Sequence, residues 1–234
     1  MKCTSYDECV EQYNQEISRL WKLEFDNAIK STENTSVKFK QFCFHVKQDE
    51  SPIWFFGMNP SLLDSTNEYI SRTTPPDKHL FEKLEEEQKY MHTEIQYFQR
   101  ATDFFEEEVK IPELRKPIFH DLYPVRHTNQ KEFVKFLEDN DDFCNSLDTA
   151  TKNLIDGIMP DIIVIANAKA SKLMQKIFFG RNEYKGETKL TYELDGKKTD
   201  MIFSSMLSGQ RALDTYSRSR LAREISETWK FRNN

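Results

Sequence analysis

Two apolar runs constrain this chain more than any other feature: IWFFG at 53–57 and DIIVIANA at 161–168. Neither alternates apolar with polar residues, so neither reads as a strand with one face in water. Short apolar runs bounded by Gly, Pro or Asn are instead expected to be strands buried on both faces. That is the situation of a parallel sheet with helices packed on either side.

Weaker signals fill in the rest. Residues 5–30 place Val10, Tyr13, Ile17, Leu20 and Leu23 at helical spacing, and VKFKQFCFHV (37–46) alternates as an amphipathic strand. Residues 79–110 are long, charged and helical, and KPIFHDLYP (116–124) contains a short strand running into a loop. Residues 130–158 form one or two helices, and a helix at 168–179 follows the second buried strand. KLTYELDGKKTDMIFSSM (189–206) reads as a hairpin turning at Asp195-Gly196, and a last helix runs from about 211 to 230. The expected fold class is α/β: a three-layer α/β/α arrangement around a short, mainly parallel sheet. With 234 residues, 38% hydrophobic, and only six glycines, the chain reads as a single domain over 1–234. A helical extension spans about 1–35 and a helical insertion about 62–115.

Composition narrows the function classes. No apolar run approaches the roughly 20 residues of a membrane helix, and the acidic N-terminus lacks a signal core. Cys3, Cys9, Cys43 and Cys144 form no CxxC pair, and the five histidines are scattered. The expectation is therefore a cytoplasmic protein with reduced thiols, no metal site and no cofactor. The formal charge of −6 argues against indiscriminate nucleic-acid binding. It is uneven, however. Residues 1–150 carry 18 Lys+Arg against 29 Asp+Glu, whereas residues 151–234 carry 15 against 10. A phosphate-facing surface belongs in the C-terminal third, unless the asymmetry is chance.

In a parallel sheet, ligands bind beyond the carboxyl ends of the strands. Four segments fall there: GMNPS, HDLYPVR, ANAKAS and SSMLSGQR. All are polar and carry small or amide residues. In the first, Gly57 lets a ligand approach the backbone, Pro60 fixes the turn, and Asn59 projects an amide that both donates and accepts. An ordinary strand-ending turn accounts for Asn-Pro as well.

The segment Gly57-Met58-Asn59-Pro60 resembles the first motif of the uracil-DNA glycosylase superfamily, closest to its single-strand-selective monofunctional and mismatch-specific branches. Ser61 stands where those branches have glycine. IFHDLYP resembles the Phe-Val-His-Asn segment of the single-strand-selective branch, with His120 matching the histidine and Asp121 the base-reading asparagine. DIIVIANAKAS resembles the family's third strand. MLSGQR (206–211) resembles the second motif, with Met206 in the histidine position and Ser208 matching the serine.

The resemblance covers about residues 50–230 and implies a DNA glycosylase of base excision repair. Asn59 would position the attacking water, with Ser208 the second catalytic residue. Gly57, Met58, Phe119, His120, Asp121, Asn167 and Met206 would surround the base. Pro60, Ser61, Lys169, Lys172, Leu207, Gly209, Gln210 and Arg211 would contact DNA, with the 207–211 loop entering the duplex. Phe119, Tyr69 and Tyr123 are alternative stacking partners for the base. Arg218 and Arg220 are further candidates for gripping phosphates.

Two departures bear on the chemistry. Met206 has no proton with which to stabilise the departing base. Ionised Asp121 only accepts hydrogen bonds, which suits an exocyclic amine better than uracil O4. Asp121 as a plain turn cap is the structural alternative. Two functional alternatives follow: a catalytically silent member of the fold that binds nucleic acid or protein, and an enzyme acting on free nucleosides or nucleotides.

Overall fold

The computed structural model describes residues 3–20, 49–58, 96–125, 130–181, 186–207 and 212–233. The fold is mixed α/β with a five-stranded, mainly parallel sheet. The expected strand at 37–46 and most of the expected helical insertion lie outside the described residues. The chain divides into two compact units, described in turn.

The described part of the first unit is mainly helical. Helix α1 (Tyr6–Leu20) buries Tyr6, Cys9, Val10, Tyr13, Ile17 and Leu20, the stripe expected from its spacing. Its start is a capping-box arrangement. The Glu8 N–H donates to Ser5 Oγ at 3.3 Å, and the Glu8 carboxylate accepts from the Thr4 N–H at 2.7 Å. Those bonds from Thr4, its N–H first, hold the Glu8 carboxyl below the usual range. Residues 130–158 form two helices, α2 (Gln130–Glu138) and α3 (Asp141–Ile158), and α1 packs along α3.

One cysteine expectation is overturned here. Cys3 and Cys9 form a disulfide with Cα atoms 5.3 Å apart. The bend into α1 folds the five intervening residues back onto the first turn, bringing two sulfurs together without any CxxC spacing. Cys144 is in no disulfide, and its sulfur lies 3.6 Å from the Tyr123 hydroxyl.

The second unit holds the sheet. Its strands are β1 (Ile53–Gly57), β2 (Ile118–Asp121, whose last residue falls in the first unit), β3 (Ile162–Ala166), β4 (Lys189–Leu194) and β5 (Lys197–Ser204), in the order β2-β1-β3-β5-β4. β1 pairs parallel to β3, β3 parallel to β5, and β4 antiparallel to β5. Every residue of β1 and β3 is buried, as their unbroken apolar sequences require. β4 alternates exposed and half-buried positions, and its outward Lys189 and Glu193 suit an edge strand. Asp195 (φ 50°) and Gly196 (φ 79°) both take the left-handed conformation of a tight hairpin turn.

Five described helical pieces belong to this unit: α4 (Gln96–Asp103), a wide π-helical turn (Phe104–Val109), a single 3-10 turn (Pro112–Leu114), α5 (Ala168–Phe179) and α6 (Thr215–Asn233). Ile53, Phe55, Ile162, Val164 and Ile202 on one sheet face join Phe104, Phe105, Leu221, Ala222 and Ile225 in one buried cluster. The opposite face carries α5, whose Phe178 meets Tyr192 edge-on at 5.0 Å. Helices on both faces make the three layers.

Candidate functional site at the carboxyl ends of the strands

The parallel register decides what meets at the carboxyl edge. Phe56 pairs with Ile165, and Ala166 with Ser204. Gly57-Met58, Asn167 and Ser205-Met206 therefore leave the sheet from the same edge, although over a hundred residues separate the first from the others. Asn59, Pro60, Ser61, Ser208, Gly209, Gln210 and Arg211 lie outside the described residues, as does Tyr69.

β2 alternates. Phe119 faces the buried cluster, edge-on to Phe55 at 5.8 Å and to Phe98 at 5.0 Å, and stays half-buried. His120 takes the other face, between the rings of Trp54 (5.8 Å) and Phe56 (4.9 Å), and is 8% exposed. Strand alternation thus puts these two neighbours on opposite sides of the sheet. Asp121 ends the strand half-buried. Tyr123 is fully buried and donates its hydroxyl to Asp148 at 2.7 Å, which removes it as a stacking partner for a base. Of the two described candidates, Phe119 keeps part of its ring open.

Asn167 has a structural task. Its Oδ1 accepts from the N–H groups of Lys169 (2.9 Å) and Ala170 (3.1 Å), capping α5. Gly180 closes the other end in the left-handed conformation (φ 63°), donating its N–H to Gln175 and Lys176. Met58 is buried, while Met206 is half-buried and its carbonyl accepts from the Leu213 N–H at 2.8 Å. That bond pins the stem of the loop between β5 and α6. Leu207 departs from its expected place in a loop that enters the duplex. It is 2% exposed and belongs to the buried cluster, because the apolar face of the sheet is the nearest place to bury it.

Beyond β5 lies a cavity of about 240 Å³ between the first turns of α5 and α6. Its polar lining is Ser171, Lys172, Ser204, Ser205, Ser217, Arg220, Thr188 and Glu224. Apolar surface from Phe203, Leu213 and Leu221 forms the remaining wall with Ala168. Glu224 accepts from Thr188 Oγ1 at 2.8 Å. The helices already satisfy their own starts. Asn167 caps α5, and Asp214 accepts from the Ser217 N–H at 2.8 Å. Ser217 thereby holds the Asp214 carboxyl below the usual range, with the Arg220 charge contributing least. Neither Lys172 nor Arg220 forms an ion pair with a described carboxylate. Lys169 does not line the cavity, and Arg218 is committed elsewhere, to Glu108 at 2.8 Å over the Phe104 ring.

Sequence reasoning named Lys172 and Arg220 but passed over Ser171, Ser217 and Glu224. The signal was faint: positions 168, 171 and 172 share one helix face, as do 217, 220, 221 and 224. Among the described residues no cluster of His, Cys, Asp and Glu could hold a metal ion. No described helix is long and apolar enough to cross a membrane. Compared with known families and curated proteins, the chain matches no family model and has no significant match among curated sequences.

Proposed function

We propose that the protein is a DNA glycosylase, hydrolysing the bond between a damaged or non-standard base and its sugar. One observation carries this reading. The sheet register ends the segments Gly57-Met58, Ala166-Asn167 and Ser204–Met206 on a common edge, in the order in which the sequence resembles the superfamily's motifs. Single-strand and duplex DNA are both candidate substrates, and the cytoplasm is the proposed compartment.

The chemistry assigned to the chain follows from breaking an N-glycoside. The base must leave its stack, at a cost of a few kcal/mol. As the bond to the base lengthens, the sugar gains oxocarbenium character and the base gains negative charge. Asn59 holds a water on the open face of the sugar through its side-chain oxygen; that water adds at the carbon the base leaves, and its surplus proton passes through solvent to the departed base anion. Hydrogen bonds to the departing base lower the barrier most if they are fixed in advance. Met206 offers no proton for this purpose, so backbone N–H groups near residues 58–62 and 206–209 take the part. Such an enzyme is slower than one with a histidine there. Phe119 is the aromatic surface for the base, and Asp121 reads its edge, preferring an exocyclic amine when ionised. No metal or cofactor enters these steps.

The test is a single-turnover assay on labelled single- and double-stranded oligonucleotides carrying uracil, mismatched thymine, hypoxanthine, xanthine or modified cytosine, with alkali to reveal abasic sites. Cleavage lost in Asn59→Ala supports the assignment. No cleavage with excess protein refutes it.

A second reading has its own support. The burial of Leu207 removes an apolar wedge, and Met206 removes a proton donor. Both suit a catalytically silent protein of this fold that binds nucleic acid. Oligonucleotide binding without cleavage of any base in the panel selects that reading.

A further inference from the structure

The cavity between α5 and α6 has a chemistry of its own, and it does not depend on breaking a glycosidic bond. Its two cations, Lys172 and Arg220, stand on separate helices at an exposed rim, and neither forms an ion pair with a described carboxylate. Its interior is rich in hydroxyls, with Ser171 5% exposed and Ser204 and Ser205 at the end of the buried strand. Its one carboxylate, Glu224, follows Arg220 by four residues and so stands one helical turn along the same face of α6. The helix N–H groups are not the donors, since Asn167 and Asp214 already occupy them.

We propose that this cavity binds a sugar phosphate. The phosphate lies against Lys172 and Arg220, whose two positive charges balance a phosphomonoester dianion and more than balance a backbone monoanion. The sugar extends inward, with one hydroxyl donating to Glu224 and its carbon face against Phe203 and Leu213. A bare phosphate leaves the Glu224 half of the cavity unused, and an uncharged sugar leaves both cations unused. The arrangement of positive rim, hydroxyl lining and a single acceptor carboxylate calls for both halves in one ligand. The cavity of about 240 Å³ has room for one sugar-phosphate unit and opens to solvent on the side of its cations.

Such a unit comes from two sources: a free sugar phosphate or the exposed backbone of an abasic strand. The full-length protein is titrated by calorimetry with deoxyribose 5-phosphate, with inorganic phosphate, and with a short single strand carrying one central abasic site. Each titration is repeated with Lys172→Gln/Arg220→Gln and with Glu224→Gln, after thermal melts establish that the variants fold. Lys172 and Arg220 are exposed, so their replacement leaves the core intact.

The expected result is saturable binding of deoxyribose 5-phosphate or the abasic strand, weakened at least tenfold by the double substitution. Glu224→Gln weakens the same ligand several-fold but leaves inorganic phosphate unchanged. That split separates a ligand contact from a structural role. Preference between the two sugar phosphates identifies the source. Absence of saturable binding to either overturns the proposal, as does binding insensitive to Lys172→Gln/Arg220→Gln. Inorganic phosphate binding as tightly as the sugar phosphate overturns the sugar half. Base excision is scored separately: a protein that binds but excises nothing keeps this site and loses the glycosylase assignment.

Discussion

The Tyr123 hydroxyl donates to the Asp148 carboxylate at 2.7 Å, from a side chain with no exposure to solvent. Burial first, and then the Asp148 charge, push the Tyr123 phenol well above its ordinary value. A phenol whose folded pKa is raised stabilises the fold in its neutral form. That contribution is complete below the ordinary tyrosine range and is lost as pH rises through the higher folded value. Thermal melts are therefore expected to fall steeply on the alkaline side of pH 10, and less so in Tyr123→Phe. Tyr123→Phe itself costs about 1–2 kcal/mol near neutrality, since a half-buried carboxylate loses its donor. Ultraviolet titration of the phenols checks the assignment, with one tyrosine ionising only as the protein unfolds.

Gly157 on α3 sits against the Cys3–Cys9 disulfide. A Cβ there would collide with Cys3 Sγ and stand 2.8 Å from Cys9 Sγ. Alanine in a helix is ordinarily favoured over glycine by about 1 kcal/mol. Here the overpacking, typically 1–3 kcal/mol, outweighs that gain. Gly157→Ala is expected to lower the unfolding midpoint in denaturant. In a Cys3→Ala/Cys9→Ala background the same substitution recovers most of the loss. Equal effects in both backgrounds would remove the contact as the cause.

Arg232 ties the end of α6 to the starts of the strands. One nitrogen donates to Asp200 at 2.9 Å; another donates to Asp161 and to the Lys198 carbonyl, both at 2.8 Å. Asp200 also accepts from Thr191 at 2.7 Å. Arg232→Ala is expected to cost about 1–2 kcal/mol, mostly through the buried Asp200, because the Asp161 end is solvent-screened. Arg232→Lys restores only part, since an ammonium cannot span the same fork. Chemical denaturation of the three proteins gives the ranking.

Gln175 is a liability in α5. It is 1% exposed, and neither its amide nitrogen nor its oxygen has a hydrogen-bond partner among the described residues. Desolvating an amide without compensation costs about 1–3 kcal/mol. Gln175→Met, close in volume and flexible, is expected to raise stability by about 1 kcal/mol. A lowered melting temperature would mean that the amide is needed where it stands.

Asn59→Ala is expected to reduce single-turnover cleavage by at least about 10²-fold while leaving oligonucleotide binding within a few-fold, since a positioned water matters to the transition state more than to binding. Lys172→Gln/Arg220→Gln is expected instead to weaken sugar-phosphate binding at least tenfold, which Asn59→Ala leaves unchanged. Rate and affinity measured on both variants separate the two sites.

Local rules carried most of the secondary structure. The double burial of β1 and β3 follows from their unbroken apolar runs. The hairpin follows from Asp195-Gly196, which tolerate positive φ. The span of α5 follows from Asn167 and Gly180 at its ends. Each depends on neighbours within a few residues, so the sequence by itself determined them. It determined too that polar segments would follow the strands.

Only the tertiary structure decided which of those segments meet. Strand order places Gly57, Asn167 and Ser205 on one edge, and no local pattern encodes pairing across a hundred residues. Burial settled the ambiguous side chains: Leu207 is apolar enough for a wedge or a core, and the nearby sheet face made it core. The Cys3–Cys9 bridge arose from the bend into α1 rather than from spacing. The cavity needs Ser171 and Lys172 from one helix, Ser204 and Ser205 from a strand, and Arg220 and Glu224 from another helix. None of these residues is distinctive where it stands in the chain. Their chemistry exists only once packing has brought three distant segments within reach of one ligand.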